Sequence, residues 1–195
     1  MNPFDTVSAA FPRAFARIAR ALRHAPGIAF AAGLSALSLT FAAAGTATAL
    51  AAVPEAPASP VIERFHATLI DVMKNAGTMR FEGRYERLAP AVKASFNLSF
   101  MARFAAGSYW KKLGAAERDR LVAAFTRLTI ATYADRFDGY SGQRFETVGD
   151  QPLRRDTRLV KTGLIKRDGE TVKLNYLLRP SQGRWRIVDI HLKGV

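Results

Sequence analysis

From Val61 onward the apolar positions recur at three- and four-residue steps. Val61, Phe65, Leu69, Val72, Met73 and Ala76 form one stripe, the spacing of an amphipathic helix. Ser59-Pro60 supplies an N-cap and first-turn pair ahead of it, and Gly77 is expected to close it. A second helical piece is predicted over 81–95, with Tyr85, Leu88 and Val92 on one face and Pro90 as a kink or break. A third runs over 98–106 and ends at Gly107. The longest starts near Ala115, carries Leu121, Phe125, Leu128, Thr132, Tyr133 and Phe137, and stops at Gly139-Tyr140-Ser141-Gly142.

The period then changes to two. Phe145-Glu146-Thr147-Val148 reads as a short strand, and two longer strands over 158–166 and 171–179 flank Arg167-Asp168-Gly169-Glu170, an Asp-Gly hairpin signal. Val172, Leu174, Tyr176 and Leu178 point one way; Lys173, Asn175 and Arg179 point the other. Pro180-Ser181-Gln182-Gly183 turns the chain into a last strand from Arg184 to Ile190. Helices followed by consecutive antiparallel strands predict an α+β domain, its helices packed on one face of a curved sheet of about four strands.

The first sixty residues read differently. Arg13, Arg17, Arg20 and Arg23 precede an uncharged run from Pro26 to Ala44, and Ala47-Thr48-Ala49 has the small-x-small form of a cleavage site. A basic, then apolar, then small-residue layout marks a secretory signal, here assigned to residues 1–49 and expected to be cleaved. Residues 50–60, with Pro54, Pro57 and Pro60, form an extended leader, and 61–195 the folded domain. The expected location is the periplasm.

Charge and composition narrow the function. The chain has 29 Lys+Arg against 16 Asp+Glu, net +13. The first 60 residues hold four Arg and two acids, so residues 61–195 hold 25 basic and 14 acidic groups, +11. In an exported protein the polyanion such a surface would meet is an anionic membrane rather than nucleic acid; a solvated basic surface that aids solubility is the equal alternative. There are no cysteines, which excludes disulfides, thiolate metal sites and cysteine nucleophiles. With only three histidines a multi-His metal centre is not expected, and no GxSxG, HExxH or Walker motif occurs. Asp189 and His191, two apart on the last strand, suit a terminal-strand ion pair better than an acid-oriented base. His66, beside Glu63 and Asp71 on the first helix, is expected in a surface ion pair. No catalytic residue, cofactor or metal is assigned.

Specific residues then resemble a known family. The run Phe96-Asn97-Leu98-Ser99-Phe100-Met101-Ala102-Arg103, followed by Gly107 and Trp110, is similar to the F-D-x-x-x-M-A-R…G…W signature of the MlaC/toluene-tolerance family. Ala131-Thr132-Tyr133-Ala134, Phe137-Asp138-Gly139-Tyr140-Ser141-Gly142, Trp185-Arg186-Ile187-Val188-Asp189-Ile190 and Gly194-Val195 continue it in order. The wording of 137–142 looks most like the hopanoid-biosynthesis-associated branch. Two positions depart from the pattern. Asn97 stands where the family usually has Asp, and the chain ends at Val195 where family members continue into further helical segments. Two expectations stay open: a C-terminally truncated member, or, where those segments help close the cavity, one that holds lipid poorly.

The resemblance implies a non-enzymatic periplasmic shuttle that carries phospholipid or a hopanoid-type lipid. Its partners would be an inner-membrane ABC transporter complex with an MCE-domain protein and an outer-membrane lipoprotein complex, and the carrier itself is expected as a monomer. Lipid tails are expected between the layers, against Phe100, Met101, Phe104, Phe125, Leu128, Tyr133, Phe137, Leu174, Tyr176 and Trp185. Arg103 and Lys111 are the expected headgroup or membrane contacts. At about 25 cal/mol per Å2, hiding an acyl tail in such a space is worth many kcal/mol. The alternative is an envelope interaction protein with a filled core that docks a membrane transporter. An enzyme built on Asp189 and His191 ranks third.

Overall fold

The protein is described by a computed structural model over residues 56–192. The expected signal over 1–49, the first part of the leader and the final Gly194-Val195 lie outside the described residues. Helix α1 spans Ser59–Lys74 and buries Ile62, Phe65, His66, Leu69, Val72 and Met73. Helix α2, Ala76–Ser95, follows after the single residue Asn75. Gly77 is therefore not the stop; it lies in the first turn of α2. The break comes at Arg80, whose φ of 54° and ψ of −168° leave helical space, a strain of order 1 kcal/mol for a residue with a Cβ. At Pro90 the helical dihedrals continue.

Helix α3, Leu98–Ala106, has the predicted limits. The Phe100 backbone N–H donates to Asn97 Oδ1 at 3.1 Å, so Asn97 keeps the capping role open to either Asn or Asp. Gly107, at φ 55°, ends the helix in a conformation that a side chain would disfavour. A 3-10 turn, Gly107–Lys112, leads into α4, Ala115–Arg136. The Arg84 Nε donates 2.8 Å to the Ala134 carbonyl near the end of α4, tying α2 to it.

Four antiparallel strands follow in chain order: β1 Arg144–Leu153, β2 Thr157–Ile165, β3 Thr171–Ser181 and β4 Arg184–Leu192. Gly169, at φ 85°, makes the expected β2–β3 hairpin. The β3–β4 reversal needs only Gln182 and Gly183, both at positive φ, so Pro180 and Ser181 remain in the strand. The inner face carries Val160, Thr162 and Leu164 of β2 with Val172, Tyr176 and Leu178 of β3, all buried under the helices. Lys161, Lys173 and Arg179 stand exposed on the other face. The α+β architecture, helices on one side of a curved antiparallel sheet, is as predicted.

Two bulges decide which side chains face inward. Thr147 pairs with Thr162 but Gly149 with Lys161, which leaves Val148 as the extra residue. Because side chains alternate with period two, that insertion turns Asp150 from the outer face to the helix face. The interruption also explains why β1 is longer than the four residues its alternation predicts. The second bulge is at Val188, since Leu177 pairs with Asp189 and Leu178 with Ile187. It turns Asp189 and His191 outward.

The first bulge supplies the cap of α1. The Ala58 and Ser59 backbone N–H groups donate to Asp150 Oδ2 at 2.7 and 2.8 Å, and Arg158 Nε donates to Asp150 Oδ1 at 2.6 Å. Ser59 is thus inside the helix, and the cap is a carboxylate from the sheet. Trp185 Nε1 donates 2.7 Å to the Ala56 carbonyl, pinning the end of the leader beside the same cluster. Burial works to raise the Asp150 carboxyl, but the Arg158 bond, the two backbone bonds and the Arg158 charge outweigh it and hold its pKa below the usual range. Asp150→Ala should cost about 2–3 kcal/mol at neutral pH by removing the cap and leaving Arg158 unpaired. A depressed carboxyl contributes above its unfolded pKa of about 3.9 and loses that contribution as pH falls through the folded value. Denaturant midpoints of the two proteins should therefore converge below about pH 4.

Candidate functional site

The space between helices and sheet is organised by aromatic rings. Phe65, at the centre of α1, meets Phe96 and Tyr133 edge-on with ring centroids 5.1 Å away in both cases. Phe137 stacks on Tyr133 at 5.7 Å. These are the offset and T-shaped contacts that the ring quadrupole favours. Around them Ile62, Leu69, Leu88, Val92, Val160, Leu178 and Ile187 complete one contiguous apolar cluster.

One polar pair lies within it. His66 Nε2 and the Tyr176 hydroxyl are 2.8 Å apart, while the His66 ring stacks on Phe145 at 3.8 Å. His66 is 4% exposed, and burial pushes its pKa down to about 3. The expected surface ion pair does not form; Asp71 instead pairs with Arg87 at 3.0 Å. Burial raises the pKa of both Tyr176 and Tyr133, with Tyr176 adding to the effect on Tyr133. The other buried polar side chains among the described residues are Ser95, Thr129 and Thr162. At neutral pH the interior is therefore uncharged, an environment suited to hydrocarbon and hostile to ions.

The residues expected along lipid tails divide into two groups. Met101, Phe125, Tyr133, Tyr176 and Trp185 lie in the buried cluster, with Phe137 and Leu174 packed against it. Leu128 is half-buried on α4, outside that cluster; Thr129 and Ile130 take the inward positions beside it. Phe104 lies outside the interior: it is 79% exposed and stacks on the half-buried Phe100 along the outer edge of α3. Arg103 and Lys111 are exposed on the same segment. Asp189 and His191 form an outward-facing pair at 3.1 Å.

The site also includes His66 and Phe145. His66 was legible as the position between Ile62 and Leu69 at helical spacing, while Phe145 depends on the pairing of β1 with β2. Among the described residues no group of three or more His, Asp or Glu side chains is placed to hold a metal, and no helix is long and apolar enough to cross a membrane.

Among the described residues, four helices over a four-stranded meander, closing on an uncharged aromatic interior, define an α+β domain built to keep apolar surface from water. The chain belongs to the MlaC family, described as MlaC protein, which it matches over residues 63–195. Its fold is similar to that of a phospholipid-binding protein from Ralstonia solanacearum solved in complex with a phospholipid. The TM-score is 0.63 with 17% sequence identity, over 72% of this chain and 80% of that one. No curated protein matches the chain. The family signature lands on structural roles: Phe96 and Tyr133 in the ring cluster, Met101 and Ala102 in the core, Asn97 and Gly107 at the two ends of α3.

Proposed function

We propose that this protein binds a lipid by its acyl or polycyclic tail between the helix layer and the sheet and carries it through the periplasm. The observation that carries this reading is family membership over 63–195, joined to a fold shared with a protein solved with a phospholipid. The neutral interior supports it, because a tail there meets aromatic and aliphatic carbon and one self-satisfied polar pair. Phospholipid is the first ligand to test and a hopanoid-type lipid the second. The finer assignments are a soluble link between an inner-membrane ABC/MCE complex and an outer-membrane lipoprotein complex, reached through a cleaved signal over 1–49. Carriage needs layer opening and no bond chemistry, so no enzymatic step is proposed.

A filled-core docking protein is the second reading, favoured by the direct ring contacts of Phe65 with Phe96 and Tyr133. Native mass spectrometry of protein purified without detergent separates the two. A carrier should retain a lipid whose extracted mass identifies it. Protein that emerges lipid-free, and takes up none from phospholipid vesicles, would leave the docking reading alone.

A further inference from the structure

We propose that the outer edge formed by α3 and the 3-10 turn is a docking surface for an anionic bilayer, with Phe104 entering the acyl boundary. Docking here rests on the lipid-carriage reading, since a carrier must meet a membrane to load or unload, and the two are read apart below. Phe104 is the most exposed of the large hydrophobic side chains among the described residues, and it is stacked on Phe100 at 6.4 Å with the rings 12° from parallel. Arg179 reaches across from β3 to lie 5.3 Å over the Phe100 ring. A few residues on, Lys112 lies over the Tyr109 ring at 5.6 Å and Arg118 over the half-buried Trp110 at 5.5 Å.

Charge selects the occupant. Residues 98–112 contain Arg103, Lys111 and Lys112 and no acid. The next carboxylate along the chain, Glu117, is occupied by the Gly114 N–H at 2.8 Å. An exposed apolar ring on the same segment as half-buried tyrosine and tryptophan and three exposed cations has the three components that a membrane interface takes: hydrocarbon, amphipathic rings and partners for anionic phosphate. The occupant is assigned from that charge complementarity: a bilayer offers anionic phosphate along the whole edge and hydrocarbon beneath it for the exposed ring.

The chain carries its own probe. It has two tryptophans: Trp110, in the proposed edge, and Trp185, which is buried. Residues 1–55 have none, so insertion of the N-terminal segment is silent. The full chain is mixed with vesicles of equal parts phosphatidylglycerol and phosphatidylcholine, brominated in the acyl chains, and tryptophan emission is followed. Quenching that is lost in Trp110→Phe, the variant in which Trp185 alone reports lipid taken up inside, should appear, weaken with added salt, and be much smaller with phosphatidylcholine alone. Phe104→Ala should bind about tenfold more weakly with an unchanged melting temperature, since its side chain supports nothing inside. Lys111→Gln with Lys112→Gln should lose a similar factor.

Absence of quenching, equal quenching by phosphatidylcholine, or quenching indifferent to Phe104→Ala would each overturn docking at this edge. So would Phe104→Ala dissociating a dimer while leaving vesicle quenching intact. Lipid content is measured on the same preparation by native mass spectrometry. Lipid-loaded protein without quenching sinks docking alone, and lipid-free protein with quenching sinks carriage alone.

Discussion

Between about pH 6.5 and pH 3 this protein should lose stability at up to ~1.4 kcal/mol per pH unit through His66 alone. The imidazole is held neutral in the fold because burial lowers its pKa from 6.5 to about 3. Within that window the unfolded chain binds a proton at His66 and the folded chain does not. Stability therefore rises with pH across it, is complete above 6.5, and falls as the medium acidifies towards the folded value. The cumulative loss is several kcal/mol, large against the 5–15 kcal/mol of an ordinary domain.

Denaturant midpoints taken in steps from pH 7.5 to pH 3.5 would measure the slope. The informative variant replaces both partners, His66→Leu with Tyr176→Phe. Each single change strands a buried polar group, whereas removing both leaves carbon against carbon and is close to neutral at pH 7. The double variant should lack the slope between pH 6.5 and 4, leaving the carboxylate-dependent loss that Asp150 contributes at lower pH. A double variant that kept the full slope would place the proton uptake elsewhere.

Much of this fold was written locally in the chain. The period-three-and-four stripes located the helices, Asn97 and Gly107 bounded α3, and the Asp168-Gly169 pair marked the β2–β3 hairpin. What was hidden depends on pairing between distant segments. A bulge is invisible in a strand's own alternation until its partner is known, so neither the inward turn of Asp150 nor the outward turn of Asp189 and His191 was legible. Asp150 caps a helix more than 90 residues earlier, while Ser59, the better local candidate, was consumed as helix.

The site divides on the same line. Phe125, Tyr133 and Tyr176 read correctly as inward positions because they lie on strong stripes. Phe104 shares a helical face with Phe100, and periodicity alone cannot say that this face lies outside the helix–sheet interior. His66 was misread because polarity was given more weight than spacing. Its neighbours Ile62, Phe65 and Leu69 all point inward, and a neutral imidazole with one hydrogen-bond partner can follow them at little cost.

Phe65→Ala should be the most damaging single truncation, at about 3–5 kcal/mol when no lipid is bound. The ring is 1% exposed and touches Phe96, Tyr133 and His66, so its loss removes buried area and opens a hole between α1, α4 and the α2–α3 link that pairs with β4. The cost depends on whether something else fills that hole. In a carrier, an acyl chain lying between the layers occupies part of the space, and a ligand that binds only the folded form adds stability by mass action. The variant's deficit should then shrink when denaturant midpoints are measured on protein loaded with phospholipid. In a filled-core protein the lipid finds no lodging, and the deficit stays the same with or without it. Because the comparison is made within one variant, it does not require knowing which lipid the native protein prefers.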